Sequence, residues 1–160
     1  VPGLAMKNCK PVSFIGYGNP IRGDDGLGPA LIMRLKKGSI EGIETRSGRQ
    51  LAPEDALDIS GSNMIVFVDA SIDCGDSFSF YEIKPEFESA FSSDLTSPQS
   101  ILAHCVHLFN GDCRGYMLAI RGYEWELIDA ISPAAASNLN DAYYFIENWL
   151  LSIPPVVKHS

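Results

Sequence analysis

Val12-Ser13-Phe14-Ile15-Gly16-Tyr17-Gly18-Asn19-Pro20-Ile21-Arg22-Gly23-Asp24-Asp25-Gly26-Leu27-Gly28 is the stretch on which the reading of this chain turns. Its apolar start predicts a first strand over Val12 to Tyr17. The glycines that follow permit a tight turn, and the helical pattern beyond them runs from Asp25 to Lys37. The chain therefore leaves a strand and enters a helix with two carboxylates at the helix mouth. Open α/β proteins place their chemistry on loops at the carboxyl ends of sheet strands. A phosphate-binding loop at that place would present bare glycines or a lysine, since a helix N-terminus attracts anions. Here the loop brings its own negative charge, which favours a cation, most simply a divalent metal.

Working outward, Leu27, Ala30, Leu31, Arg34 and Leu35 recur at helical spacing and predict one apolar stripe. Lys36 and Lys37 suit the end of that helix, with Gly38 as a left-handed stop. Ile40 to Thr45 reads as a second strand with one less buried face. Pro53 opens a short helix to about Ile59. Met64-Ile65-Val66-Phe67-Val68 is apolar on both faces, as a central parallel strand covered by helices should be. Phe78 to Lys84 alternates and reads as a strand, for which an edge position is one option. Residues 85–96 read as a surface loop, and Ser97-Pro98 as a capped helix start with Ile101, Leu102, Cys105, Leu108 and Phe109 on its buried face. Gly115 to Ile120 is the next strand. Ser132-Pro133 starts a last helix to about Leu150, packing through Leu139, Tyr143, Ile146 and Leu150. Alternating elements of these lengths predict a single three-layer α/β/α domain with a mostly parallel central sheet.

The bulk numbers agree. The chain has 160 residues, enough for one filled core and too few for two ordinary domains. Residues 6–152 are expected to form the domain, with 1–5 and 153–160 as flexible termini. A formal charge of -8 argues against nonspecific nucleic-acid binding, and no apolar run is long enough to insert into a membrane. Cys9, Cys74, Cys105 and Cys113 form no CxxC pair, which fits free thiols in a reducing cytoplasm. No secretory signal is evident, so a cytoplasmic location is expected.

Asp25 and Asp69 carry the chemical argument. Asp is favoured at a helix start, but of the adjacent pair Asp24 and Asp25 only one serves easily as a cap, leaving the other for the cleft. Asp69 ends the most apolar strand, where a carboxylate is costly to bury without a partner. The two could converge from adjacent loops as hard oxygen ligands, and a third ligand would complete a transition-metal site. His104 is one candidate for that place; Gln99 and Asp94 are others, while His107 projects away from the apolar stripe and His159 lies in the tail. Gly18, Asn19, Arg22, Asp24 and Gln99 make up the expected substrate-binding set, Arg22 being suited to a carboxylate or phosphate or to a surface ion pair with Asp24. There is no GxSxG, HExxH, Walker or dinucleotide signature.

Gly18-Asn19-Pro20-Ile21-Arg22-Gly23-Asp24-Asp25-Gly26-Leu27-Gly28 resembles the opening motif of the nickel-iron hydrogenase maturation endopeptidases. Val66-Phe67-Val68-Asp69-Ala70 resembles their second motif. Ala119-Ile120-Arg121-Gly122-Tyr123-Glu124, followed by Ile131-Ser132-Pro133, resembles a third and weaker one. The resemblance implies an α/β protease that removes the C-terminal extension of a hydrogenase large-subunit precursor after nickel insertion. Nickel would be recognised in that substrate rather than permanently bound. The family's metal-contacting trio implies roles for Asp25 and Asp69, as catalytic and nickel-contacting residues, and for a histidine near the start of the helix after the variable loop. There this chain reads Ser92-Ser93-Asp94-Leu95-Thr96-Ser97-Pro98-Gln99, and His104 is the nearest histidine. A noncatalytic relative that binds a hydrogenase subunit or another metal-bearing partner is the alternative, and an unrelated small-molecule hydrolase is a third reading.

Overall fold

The computed structural model describes residues 12–59, 61–87, 97–109 and 113–153. Five strands, β1 (Val12–Tyr17), β2 (Ile43–Gly48), β3 (Met64–Ser71), β4 (Phe78–Ile83) and β5 (Arg114–Arg121), form one sheet in the order β2-β1-β3-β5-β4. All neighbours pair parallel except β4, which runs antiparallel to β5 at the edge. Four α-helices flank the sheet among the described residues: α1 (Leu27–Lys37), α2 (Glu54–Ile59), α3 (Pro98–Phe109) and α4 (Pro133–Ser152). The result is the expected α/β/α domain with a mixed, mostly parallel sheet. No helix among the described residues is long and apolar enough to cross a membrane.

Strand alternation sorts the core into two layers. Val12, Phe14, Val66, Val68, Leu118 and Ile120 face α1 and α4, where they meet Leu27, Leu31, Leu35 and Ile146. Ile15, Ile65, Phe67 and Met117 face α2 and α3, packing with Ala56, Ile59, Ile101, Leu102 and Cys105. Because β3 is covered on both sides, it lacks the polar alternation of an exposed strand. Burial pushes the Cys105 thiol up to about 12, with a further push from Cys113, and burial raises Cys113 to about 11. Such thiols stay protonated and packed rather than reactive.

Several expectations are corrected. The second strand is Ile43–Gly48, not Ile40 to Thr45. It is an edge strand bonded only to β1 and largely exposed, so it carries no hydrophobic signature, and positive φ at Ser39 and Gly42 turns the chain just before it. The first helix begins at Leu27, after a separate 3-10 turn over Gly23–Gly26 that contains both aspartates. Gly38 is right-handed; the left-handed residue is Ser39, at φ 50°. An added Cβ at 38 would lie 2.7 Å from the Tyr143 hydroxyl of α4, so a larger residue there would have to displace the end of that side chain. On α3, Ile101, Leu102 and Cys105 are buried but Leu108 is half exposed, and the Phe109 side chain is outside the described set.

The last helix runs to Ser152, and Ile153 beyond it packs against the core. Both proline-led helices have the caps their sequences imply: the Ser97 hydroxyl accepts from the Ser100 amide, and the Ser132 hydroxyl from the Ala135 amide. Cys9, Asp94, His159, residues 1–5 and the tail beyond Ile153 lie outside the described residues.

Candidate functional site

The strand order makes the site. From β1 the chain crosses to β2 on one side; β3 then pairs on the other side of β1 and its connection leads on toward β4. The loops leaving β1 and β3 therefore diverge, opening a crevice at their carboxyl ends, the usual ligand position in such sheets. Asp25 comes from the first loop and Asp69 from the end of β3.

Glycines set the distance between them. The first turn of α1 lies directly on the strand ends: a Cβ on Gly28 would sit 2.5 Å from the Tyr17 carbonyl oxygen and 2.7 Å from that of Val68. At Gly18, with φ 147°, a Cβ would meet the Asp25 carbonyl oxygen at 1.9 Å. The Gly18 amide donates to the Gly48 carbonyl, fixing the turn to β2. These backbone approaches account for the glycine spacing of the motif without a phosphate.

The adjacent aspartates have opposite fates. Asp24 has no exposed surface. Its carboxylate accepts hydrogen bonds from the backbone amides of Tyr123, Glu124 and Ser132 and from the Ser132 hydroxyl, at 2.7–2.9 Å. Burial pushes its carboxyl up, but these donors outweigh burial and hold it below the ordinary carboxylate range. Asp24, expected to bind substrate, is thus a structural tie to the loop before α4. Nor does it pair with Arg22, whose side chain lies in an exposed residue. The third motif is explained by the same contacts, since its amides and Ser132 are the donors.

Asp25 is half-buried, and its Oδ2 accepts from the Asn19 amide at 2.8 Å. The Asn19 side-chain oxygen accepts from the Ile21 amide, closing the turn. Asn19 therefore orients Asp25, and Gly18 lets the chain pass. Asp69 is also half-buried, with its Oδ1 accepting from the Ala70 amide. Burial first, and then the charge of Asp25, push the Asp69 carboxyl up to about 7, against the pull of the Ala70 amide. The two carboxylates thus feel each other across the crevice, and a cation between them would release the Asp69 proton.

Tyr17 is the site residue that the sequence reading missed. Gly16 pairs with Val68, so the next rung sets Tyr17 beside Asp69. Tyr17 belongs to the α2/α3 face with Ile15, the face on which alternation also places Asp69 after Ile65 and Phe67. Burial, with the charges of Asp69 and Tyr81, raises its phenol well above the ordinary value, so the hydroxyl is a neutral donor. A polar cavity of about 260 Å³ continues from Tyr17 toward Ser47, Gln50 and Asp55. The signal in the sequence is a phenol at the carboxyl end of a mostly apolar strand.

His104 does not complete the pair. It lies six residues into α3, about 9 Å from the helix start, half-buried with its Nε2 enclosed and unbonded among the described residues. No three His, Cys, Asp or Glu side chains among the described residues form a group that could hold a metal ion. Gln99 is half-buried in the first turn of α3, its carbonyl accepting from the Glu86 amide.

No family model matches the chain, and no curated protein sequence does. Solved structures do. A NiFe hydrogenase maturation protease HycI from Thermococcus kodakarensis superposes with a TM-score of 0.68 at 20% identity, over 89% of this chain and 94% of that one. A hydrogenase 2 maturation peptidase from a Thaumarchaeota archaeon gives 0.65 at 16% identity, covering 88% and 98%. The hydrogenase maturating endopeptidase HybD from E. coli gives 0.66 at 14% identity, covering 88% and 92%. Identities this low establish a shared fold over nearly the whole of each chain.

Proposed function

We propose that this protein is a nickel-iron hydrogenase maturation endopeptidase, removing the C-terminal extension from a nickel-loaded large-subunit precursor. The observation that carries this reading is the convergence of Asp25 and Asp69 in one crevice, each from a motif resembling that family's, on a fold shared with structures of such proteases. Two carboxylates a short distance apart attract a divalent cation without enclosing it. That suits an ion presented by a substrate.

Each residue then has a task. Asp25, held by the Asn19 amide, keeps a fixed oxygen toward the crevice. Asp69, raised to about 7 in the free protein, loses its proton once the substrate's cation sits between the carboxylates, and so presents a carboxylate that takes a proton from the attacking water and returns it to the leaving amine. The neutral phenol of Tyr17 supplies a donor beside it. Arg22, exposed just before the 3-10 turn, frames the approach of the precursor.

The reading is tested by offering the protein the same precursor with and without nickel. Loss of the extension from the nickel-loaded form alone is the expected result. Equal cutting of both forms would remove the metal from recognition, and no cutting with retained binding would favour a noncatalytic metal-partner binder, the role to which a third ligand missing among the described residues points.

A further inference from the structure

Three loops meet beside the 3-10 turn that carries Asp25, and hydrogen bonds join them into one surface. The Gly122 amide donates to the Ser71 carbonyl, the Gly23 amide to Ile128, and the Asp24 amide to Glu124. On that surface stand Ile21, Ile72, Tyr123, Leu127 and Ile128, between 45% and 78% exposed. Isolated exposed apolar residues are ordinary, but a group of them on one rigid rim is the mark of an interaction site.

Charge says what kind of partner fits. Asp73, Asp76, Glu124, Glu126 and Asp129 are all exposed on the same loops. Within the rim lies a cavity of about 370 Å³ lined by Tyr123, Glu124, Trp125, Glu126 and Ile128. The Arg121 guanidinium already lies over the Tyr123 ring, 5.3 Å from its centroid, and the Trp125 ring with the two carboxylates around the hollow suits a second basic side chain, arginine or lysine. The aromatics are preset. Asn138 donates to the Tyr123 hydroxyl, and the Trp125 ring lies on Gly122, where a Cβ would come within 2.8 Å of it. A second copy of this chain would bring the same acidic fringe to the same place, so self-association through this rim is disfavoured.

We propose that this rim is the docking face for the folded body of the precursor, which meets it with an apolar centre, a basic fringe and one basic side chain seated in the Tyr123–Trp125 hollow. This inference rests on the endopeptidase reading and adds how the substrate is recognised away from the scissile bond. The side chains of this rim make no described hydrogen bond to Asp25 or Asp69, so they act on binding rather than on the chemical step.

The test measures Kd, KM and kcat for the nickel-loaded precursor at low and high salt. The wild type is compared with the double variant Glu124→Gln/Glu126→Gln, and with Leu127→Asp at a residue 78% exposed. Glu124 bonds Asp24, and the Glu126 carbonyl accepts from the Ile128 amide, through backbone atoms alone, and Leu127 is exposed, so both variants are expected to melt like the wild type. Kd and KM should rise about tenfold in each, with kcat within about twofold. The salt dependence of wild-type binding should weaken in the double variant. Unchanged Kd and KM in both variants would overturn the docking face while leaving the peptidase intact. If the wild type binds the precursor without cutting it, the peptidase reading falls and the Kd values still decide the docking face. A wild type that does not bind overturns both.

Discussion

Asp24→Ala should cost roughly 3–5 kcal/mol of stability, because it strands buried donors that now share one carboxylate. Those donors are three backbone amides and the Ser132 hydroxyl. None of the amides can turn toward water without moving the loop that precedes α4. For a chain of this length the melting temperature should fall by about 10–15 °C. Asp24→Asn would not rescue it, since an amide nitrogen would face donors that need an acceptor. The wild type should show the same dependence on pH. The folded Asp24 carboxyl is held below its ordinary value, so its contribution is present above the unfolded value and disappears as pH falls through the folded one. Thermal melts at neutral pH check the substitution. A variant as stable as the wild type would contradict the structural role assigned here, whatever its activity.

Asp69→Asn should abolish precursor cleavage and, at the same time, make the protein more stable above pH 7. The folded Asp69 carboxyl titrates near 7, raised by burial and by Asp25, against an ordinary value of 3.8. A raised carboxyl favours folding while it is protonated. Its contribution is fully present below the unfolded value and is lost as pH rises through the folded one. An asparagine does not titrate there, so the variant's stability advantage should be smallest near pH 4 and grow until about pH 7–8, reaching on the order of 2–4 kcal/mol. Stability gained with activity lost marks a residue kept for chemistry rather than for the fold. Melts across pH 4–8 measure the first effect and a cleavage assay the second. A variant less stable than the wild type at pH 8, or one that still cuts, would contradict the assignment.

What could be read from the residues follows from where the energy lies. β3 was legible because Met64 to Val68 is apolar on both faces, and the capped starts at Ser97 and Ser132 because capping is local chemistry. The bounds of β2 were not, because an exposed edge strand is specified by pairing to β1 rather than by its own pattern. The same division holds at the site. Asp25 and Asp69 stand out as carboxylates at strand and helix ends. The role of Asp24 depends on donors 99 to 108 residues away, and no local pattern reports them. Tyr17 becomes a neighbour of Asp69 only once β1 is known to pair with β3. His104 stands out through chemistry alone, and it belongs to no group of three potential metal ligands among the described residues.

In the function proposed above, Asp25 and Asp69 serve a proteolytic reaction on a nickel-bearing substrate. That role is tested most directly by the intact mass of a nickel-loaded large-subunit precursor after incubation with the wild type or with Asp25→Ala. The expected result is loss of one discrete C-terminal peptide with the wild type and an unchanged mass with the folded variant. An unchanged precursor with both proteins, or the same truncation with both, would contradict it.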